Sequence, residues 1–239
     1  MNKLSVVIPA YNEEHRITKT LNSVSDFLKQ QSYQSEIIVI VDGAHDNTAG
    51  VVTQLANQIS NLKAISNSEN HGKGFVVRQG MLAATGDVRV FMDADNSTKI
   101  EEISKMIPYF DQGYDIVVGS RRIKGSVITK HQPWIRDFLG GAFRLIVHTL
   151  VPLGVTDSQC GFKAFTKEAT ESIFPKQTIY RWAFDVEILA LARRLKYKIA
   201  EVPVTWVNDE ESTVKLPGMI RMLFEVLTVR INLWTGKYK

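Results

Sequence analysis

Apolar runs rich in Val and Ile recur at 4–8, 36–41, 62–66, 88–92 and 116–119. Between them the apolar residues fall at helical spacing, which predicts helices over about 14–30, 48–60 and 74–85 and a short one after Lys99. Strands alternating with helices in this way predict βαβ units and an open, mostly parallel α/β sheet flanked by helices. Three of the strands end in polar clusters: Pro9-Ala10-Tyr11-Asn12, Asp42 to Asn47, and Asp93-Ala94-Asp95-Asn96. Ligands of such sheets bind outside the carboxyl ends of the strands, so the three clusters should converge on one crevice.

Past Gly125 the alternation fails. Residues 134–153 form an apolar helical pattern interrupted by Arg136, Arg144 and His148, which share one helical face, and 219–234 repeats it with Arg221, Glu225 and Arg230. Two readings stand: these amphipathic helices lie on a bilayer, or they pack on each other or on the sheet. The expected organisation is a catalytic domain over 1–215, including the segment 134–153. A C-terminal amphipathic helix over 216–239 follows, a candidate for the membrane surface.

With 239 residues and 44% hydrophobic content the chain can bury one large core. A net charge of +4 and a pI near 9.1 suit phosphate-bearing ligands or an anionic membrane face and are too small to imply nucleic acid. Cys160 is the single cysteine, which excludes an intramolecular disulfide framework and a cysteine metal cluster and fits a reducing, cytoplasmic setting. The run 4–8 is too short for a signal peptide, and no stretch reaches the roughly 20 apolar residues a spanning helix needs. Membrane contact is therefore expected to be peripheral, on the cytoplasmic face.

Phe91-Met92-Asp93-Ala94-Asp95 places two carboxylates directly after a hydrophobic strand. One can reach a divalent cation while the other meets a ribose or sugar, and Mg²⁺ or Mn²⁺ would share such oxygens with substrate phosphates. The same pattern also describes a solvated turn. A second acidic turn, Asp42-Gly43-Ala44-His45-Asp46-Asn47-Thr48, puts Asp42 at a strand tip where it can meet a nucleobase, with Gly43 where the backbone must bend. Asp46 and Thr48 read as caps of the following helix. His71-Gly72-Lys73-Gly74 opens the next helix and offers Lys73 to a phosphate, without the spacing of a P-loop. No Gly-x-Gly-x-x-Gly turn follows the first strand, which argues against a dehydrogenase.

These residues resemble glycosyltransferase family 2. The opening Ser5-Val6-Val7-Ile8-Pro9-Ala10-Tyr11-Asn12-Glu13-Glu14 and the Asp42-Gly43 and Asp93-Ala94-Asp95 turns stand in the family's order. Val118-Gly119-Ser120-Arg121, Asp157-Ser158-Gln159-Cys160-Gly161-Phe162-Lys163, Arg181-Trp182-Ala183-Phe184-Asp185-Val186-Glu187 and Glu201-Val202-Pro203-Val204 look like its dolichyl-phosphate β-glucosyltransferase branch, close to the mannose synthases. The likeness implies a GT-A, Rossmann-like fold and inverting transfer of a hexose from UDP-glucose, or from GDP-mannose, to a polyprenyl phosphate. By position, Pro9, Tyr11, Glu13 and Asp42 would hold the nucleotide, Asp93 and Asp95 the metal and donor, and Arg121 the phosphates. Ser97 stands where the mannose synthases often carry a glutamine as a further metal ligand.

An acceptor phosphate monoester, with a second pKa of about 6, is already anionic at neutral pH and needs positioning more than a base. Arg121, Arg136 and Lys163 are candidates to hold it, although Arg136 reads equally as a surface cation. Asp157 is a candidate to orient a substrate or act as base, and Asp95 and Arg121 complete the catalytic set, with capping of a turn as the plainer reading of Asp157. Of Asp185 and Glu187, one is expected to touch sugar and the other to favour a helix N-terminus. Lys215, in the run 210–216, is expected to close over the diphosphate or the acceptor. The competing classes are a sugar-phosphate nucleotidyltransferase, which would want a glycine-rich, lysine-bearing segment in place of Pro9 to Glu13, and a non-catalytic nucleotide-sugar-binding protein.

Overall fold

The computed structural model of the protein describes residues 1–130, 134–208 and 216–238, with side chains described for all of these except 130, 134–139 and 216–217. Lys215 lies outside the described residues, and so does the side chain of Arg136.

The first half runs β1 (Lys3–Ala10), α1 (Ile17–Lys29), β2 (Gln34–Asp42), α2 (Thr48–Ala56), β3 (Leu62–Asn67), α3 (Lys73–Ala83) and β4 (Val88–Met92). A 3-10 turn at Ile100–Glu102 leads into α4 (Ile103–Asp111), followed by β5 (Ile116–Ser120) and β6 (Val127–Lys130). The second half adds α5 (Trp134–Leu150), β7 (Phe162–Thr166), α6 (Lys167–Ile173), α7 (Phe184–Arg194), β8 (Ile199–Pro203), β9 (Thr205–Val207) and α8 (Leu216–Thr235). All five expected strands and the helices between them form, with ends shifted by a few residues where capping and not periodicity decides.

Seven strands make one sheet in the order β3-β2-β1-β4-β7-β5-β8, and β6 pairs with β9 beside it. The sheet is parallel except for β7, which runs antiparallel to both β4 and β5. Successive residues of a strand face opposite sides, so each buried strand feeds two cores. Val7, Ile38, Ile40, Phe91 and Phe165 face α3, α5, α6, α7 and α8 on one side. Leu4, Val6, Ile37, Val39, Val90 and Phe162 face α1, α2 and α4 on the other. Two-sided burial explains why these strands read as continuous apolar runs.

The antiparallel β7 matters for function. Because Met92 pairs with Phe162, the start of β7 lies beside the end of β4, and the loop 157–161 is delivered to the same crevice as the parallel strand tips. The C-terminal helix α8 has two apolar faces. Met222, Val226 and Val229 enter the core, whereas Ile220, Phe224, Leu227, Ile231 and Trp234 face outward, Trp234 at 87% exposure. Packing on the domain thus accounts for one face of the amphipathic pattern only. Among the described residues no helix is long and apolar enough to cross a membrane.

Candidate active site

The tips of β1, β2 and β4 converge as their spacing predicts, and side-chain bonds hold them together. The Glu13 amide donates to Thr48 Oγ1 at 2.7 Å, and Thr20 Oγ1 donates to the Ala94 carbonyl at 2.6 Å, tying α1 to the Asp-Ala-Asp turn. Asp46 accepts the Thr48 amide at 3.0 Å and the Glu14 amide at 3.1 Å, which braces the turn; the N-cap of α2 is Asn47 and no side chain caps it, so Asp46 and Thr48 are not the caps the sequence suggests. Gly43 has φ of +61°, a left-handed conformation that a glycine adopts without strain.

On the nucleotide side the residues divide. Pro9 lies within β1, Tyr11 is 39% exposed at its tip, and the Tyr11 ring meets His45 edge-on. The carboxylate of Glu13 is paired with Arg16, so this residue braces the turn behind the crevice. Asp42, expected at the nucleotide, is also tied into the protein. Its carboxylate is 2% exposed and accepts the amides of His71 at 3.1 Å and Gly72 at 2.8 Å. As placed, Asp42 holds the loop 70–72 through the backbone N–H groups of His71 and Gly72.

At the β4 tip, Lys73 Nζ lies 2.5 Å from Asp93 Oδ1. Burial works against the Lys73 charge, but Asp93, Asp185 and Asp95 outweigh it and raise its pKa. Asp95 accepts the Ser97 amide at 2.8 Å, and its pKa is raised by burial and by the negative charge of Asp93. Two carboxylates forced together in a partly dry place are what a divalent cation relieves. Gly161 packs so closely on the Asp93 carboxylate that a Cβ there would overlap it. The donor chemistry therefore fits Mg²⁺ or Mn²⁺. Among the described residues no group of three or more His, Cys, Asp or Glu could hold a metal, so the remaining ligands would have to be substrate oxygens and water, as Mg²⁺ prefers.

Two expectations for the acceptor side need correction. Lys163 was expected to grip an acceptor phosphate, but its side chain points inward from β7, is fully buried, and donates to the Cys160 carbonyl at 2.7 Å and to Asp185. A cation so enclosed has no open face for a phosphate. Asp157 was weighed as a base, but it is 2% exposed and clamped by Arg121 through Nε–Oδ2 at 2.7 Å and Nη2–Oδ1 at 2.9 Å. Although burial pushes upward, these charge-assisted bonds bring its pKa down to about 2, a poor proton acceptor at neutral pH. Arg121, lying over the Trp206 ring at 5.3 Å, is thereby oriented at the crevice with its partly exposed face. Burial, against the pull of Arg121 and Lys163 and with the carboxylates of Asp157 and Asp93 adding to it, pushes the Cys160 thiol up to about 12, which removes it as a nucleophile.

Asp185 and Glu187 sit in the first turn of α7. Asp185 turns to the crevice side and pairs with Lys163, and burial raises its pKa against the pull of Lys163 and Lys73. Glu187 turns away and accepts the amides of Thr178 and Ile179 and the Tyr238 hydroxyl. Three participants had little sequence signal: Gly161 against Asp93, Trp206 under Arg121, and the segment 177–183 laid across the start of α3. Only the run Arg181 to Glu187 hinted at the last.

A sheet whose strand tips gather paired carboxylates, a lysine at a helix start and an oriented arginine defines a nucleotide-sugar transferase of the GT-A fold. The Glycosyl transferase family 2 model matches residues 5–174, and the chain belongs to that family. It is 37% identical to a dolichyl-phosphate beta-glucosyltransferase of Trichomonas vaginalis over 97% of this chain and 75% of that one. The enzymes of that name from Dictyostelium discoideum and Homo sapiens are 37% and 31% identical, each over 99% of this chain and covering 76% and 78% of theirs. Among solved structures, glucosyl-3-phosphoglycerate synthase from Mycobacterium tuberculosis with Mn²⁺, UDP-glucose and phosphoglyceric acid superposes with a TM-score of 0.72 at 18% identity, covering 97% of this chain and 79% of that one. Mannosyl-3-phosphoglycerate synthase from Rubrobacter xylanophilus gives 0.71 at 17% identity, over 95% and 72%. Family membership removes the nucleotidyltransferase reading.

Proposed function

We infer that the protein transfers glucose with inversion from UDP-glucose to a polyprenyl phosphate of the dolichyl type, at a membrane surface on its cytoplasmic side. The observation that carries the reading is the paired Asp93 and Asp95 tip, open to the crevice beside Lys73, in a chain whose relatives bear the glucosyltransferase name along almost its whole length.

The crevice contains no free base of suitable pKa at Asp157, which suits an acceptor that arrives as an anion. What the chain supplies is placement and charge. Tyr11 and the loop held by Asp42 bound the nucleotide end. Lys73 and Arg121 bring positive charge to phosphate oxygens, and Asp93 and Asp95 would hold Mg²⁺ or Mn²⁺. A bound cation supplies neutralisation of the departing diphosphate. The outward face of α8, with Arg221 and Arg230 flanking its apolar row, suits the interface of a bilayer carrying the acceptor.

The test is a panel of UDP-glucose, GDP-mannose and other nucleotide sugars against a short polyprenyl phosphate, with and without EDTA, scoring labelled lipid. Glucose incorporation that EDTA abolishes is expected. Preference for GDP-mannose would reassign the donor, and chelation without effect would remove the metal.

A further inference from the structure

Among the described residues Lys73, Lys163, Arg121 and Arg181 lie about the crevice, and the first three are ion-paired. Lys73 lies on Asp93, Lys163 on Asp185, and Arg121 on Asp157. The fourth, Arg181, is half-buried and has no carboxylate partner among the described residues. Its stem packs over Gly72, where a Cβ would come within 2.9 Å of Arg181 Cγ, so it lies next to Lys73 and to the loop held by Asp42.

The backbone around Arg181 is tied down at several points. The Gly74 amide donates to the Arg181 carbonyl at 3.2 Å and the Phe75 amide to the Tyr180 carbonyl at 3.0 Å, joining the segment to the start of α3. Gln177 Nε2 donates to the Gly74 carbonyl at 2.9 Å. From the other side, Glu225 of α8 accepts the amides of Trp182 at 3.2 Å and Ala183 at 2.9 Å, and Glu187 takes those of Thr178 and Ile179. Residues 177–183 thus form a strap held by α3, α7 and α8. A guanidinium on a strap whose backbone is held, without a counter-ion among the described residues and beside the lysine of the proposed diphosphate site, suits a phosphate.

We propose that Arg181 grips phosphate oxygens of a substrate, with Glu225 as the positioning residue that seats its strap from α8. The assignment rests on the transferase reading for the identity of the substrate and on geometry for the phosphate. The donor diphosphate and the acceptor monoester share this chemistry, and binding measurements separate them.

Arg181→Gln should lower kcat/KM for UDP-glucose and a short polyprenyl phosphate by about tenfold to a hundredfold, the range of one charge-assisted pair. Arg181→Lys, which keeps charge without the fork, should recover part of it. Calorimetric titration with UDP and sedimentation with phosphatidylcholine vesicles, with and without polyprenyl phosphate, then give the source. Weaker UDP binding assigns the donor diphosphate, and loss of the polyprenyl-phosphate increment assigns the acceptor. Glu225→Ala should weaken the same arm by a smaller factor, and Glu225→Gln, which keeps a hydrogen-bond acceptor, should largely restore it. If both Arg181 variants match the wild type in kcat/KM and in both binding arms, the proposal is wrong. A wild-type protein that binds UDP but moves no glucose would defeat the transfer reading and leave Arg181 to be judged on the UDP arm.

Discussion

Lys73 with Asp93 and Lys163 with Asp185 are the same two residue types meeting around one strand tip, in different surroundings. The first pair is open, with side chains 23% and 31% exposed, and it lies where β4 gives out into the crevice. The second is sealed between β7 and α7, with Lys163 fully buried and supported by the Cys160 carbonyl and the Phe91 ring. An open pair can exchange partners with a substrate, because water and ligand can take over each charge. A sealed pair cannot, since each charge would be left desolvated and alone. Identical chemistry is thus left available to a substrate in one place, as the proposed transfer requires, and holds the scaffold in the other.

The comparison breaks most visibly if Asp93 is removed. Asp93→Ala should cut glucose transfer by at least about a thousandfold, the scale of losing a preorganised charge in the reacting centre, while the melting temperature stays near that of the wild type. Steady-state kinetics and thermal melting on one preparation check both halves. A variant that melts early with its activity retained would reverse the roles of the two pairs.

The sealed pair should behave the opposite way. Asp185→Ala strands the Lys163 ammonium in the core and should cost about 3 kcal/mol in urea unfolding. Replacing both partners, as Lys163→Met with Asp185→Leu, should return much of that, because no charge is then buried. If the double replacement is no more stable than Asp185→Ala alone, the burial argument fails.

This distinction was only half legible from residues alone. Asp93 and Asp95 follow an apolar strand, so their place at a tip could be read directly. Lys163 could not, because Gly161-Phe162-Lys163 resembles a loop until β7 is seen to run antiparallel between β4 and β5, a pairing that βα alternation does not encode. Asp157 and Arg121 each stand out in the sequence, but their mutual clamp joins residues 36 apart, and only tertiary structure shows that Asp157 is spent on orienting Arg121. The bonds of Asp42 are hidden from the sequence for a similar reason. The amides of His71 and Gly72 that occupy it come from another loop. The amphipathic period of α8 was readable, yet periodicity alone could not say that one apolar face is buried and the other left outside.

A third carboxylate sharpens the comparison through pH. With its folded pKa of about 2 below an ordinary 3.8, Asp157 favours the folded state wherever the unfolded carboxyl is ionised. That contribution, about 2 kcal/mol, should be complete above pH 5 and drain away as pH falls from about 4 towards 2. Arg121→Met removes the cause. The stability gap between wild type and variant should therefore narrow over that window, and a gap independent of pH would show that the clamp does not set the titration.

The smallest expected effect tests whether the far end of the scaffold is separate from the open pair. The Tyr238 hydroxyl donates to Glu187 at 2.6 Å and accepts from Asn232 at 3.2 Å, fastening the end of α8 beneath α7. Tyr238→Phe removes two hydrogen bonds, the one from Asn232 and the one to Glu187, whose carboxylate keeps its bonds to Thr178 and Ile179, so it should cost about 1–2 kcal/mol. Because Glu187 retains the strap amides, UDP affinity should stay within about twofold of the wild type, a difference of roughly 0.4 kcal/mol. Calorimetry beside urea unfolding reads both. A drop in UDP affinity larger than the drop in stability would mean that Tyr238 belongs with the open pair, and that α8 controls the crevice from its end as well as through Glu225.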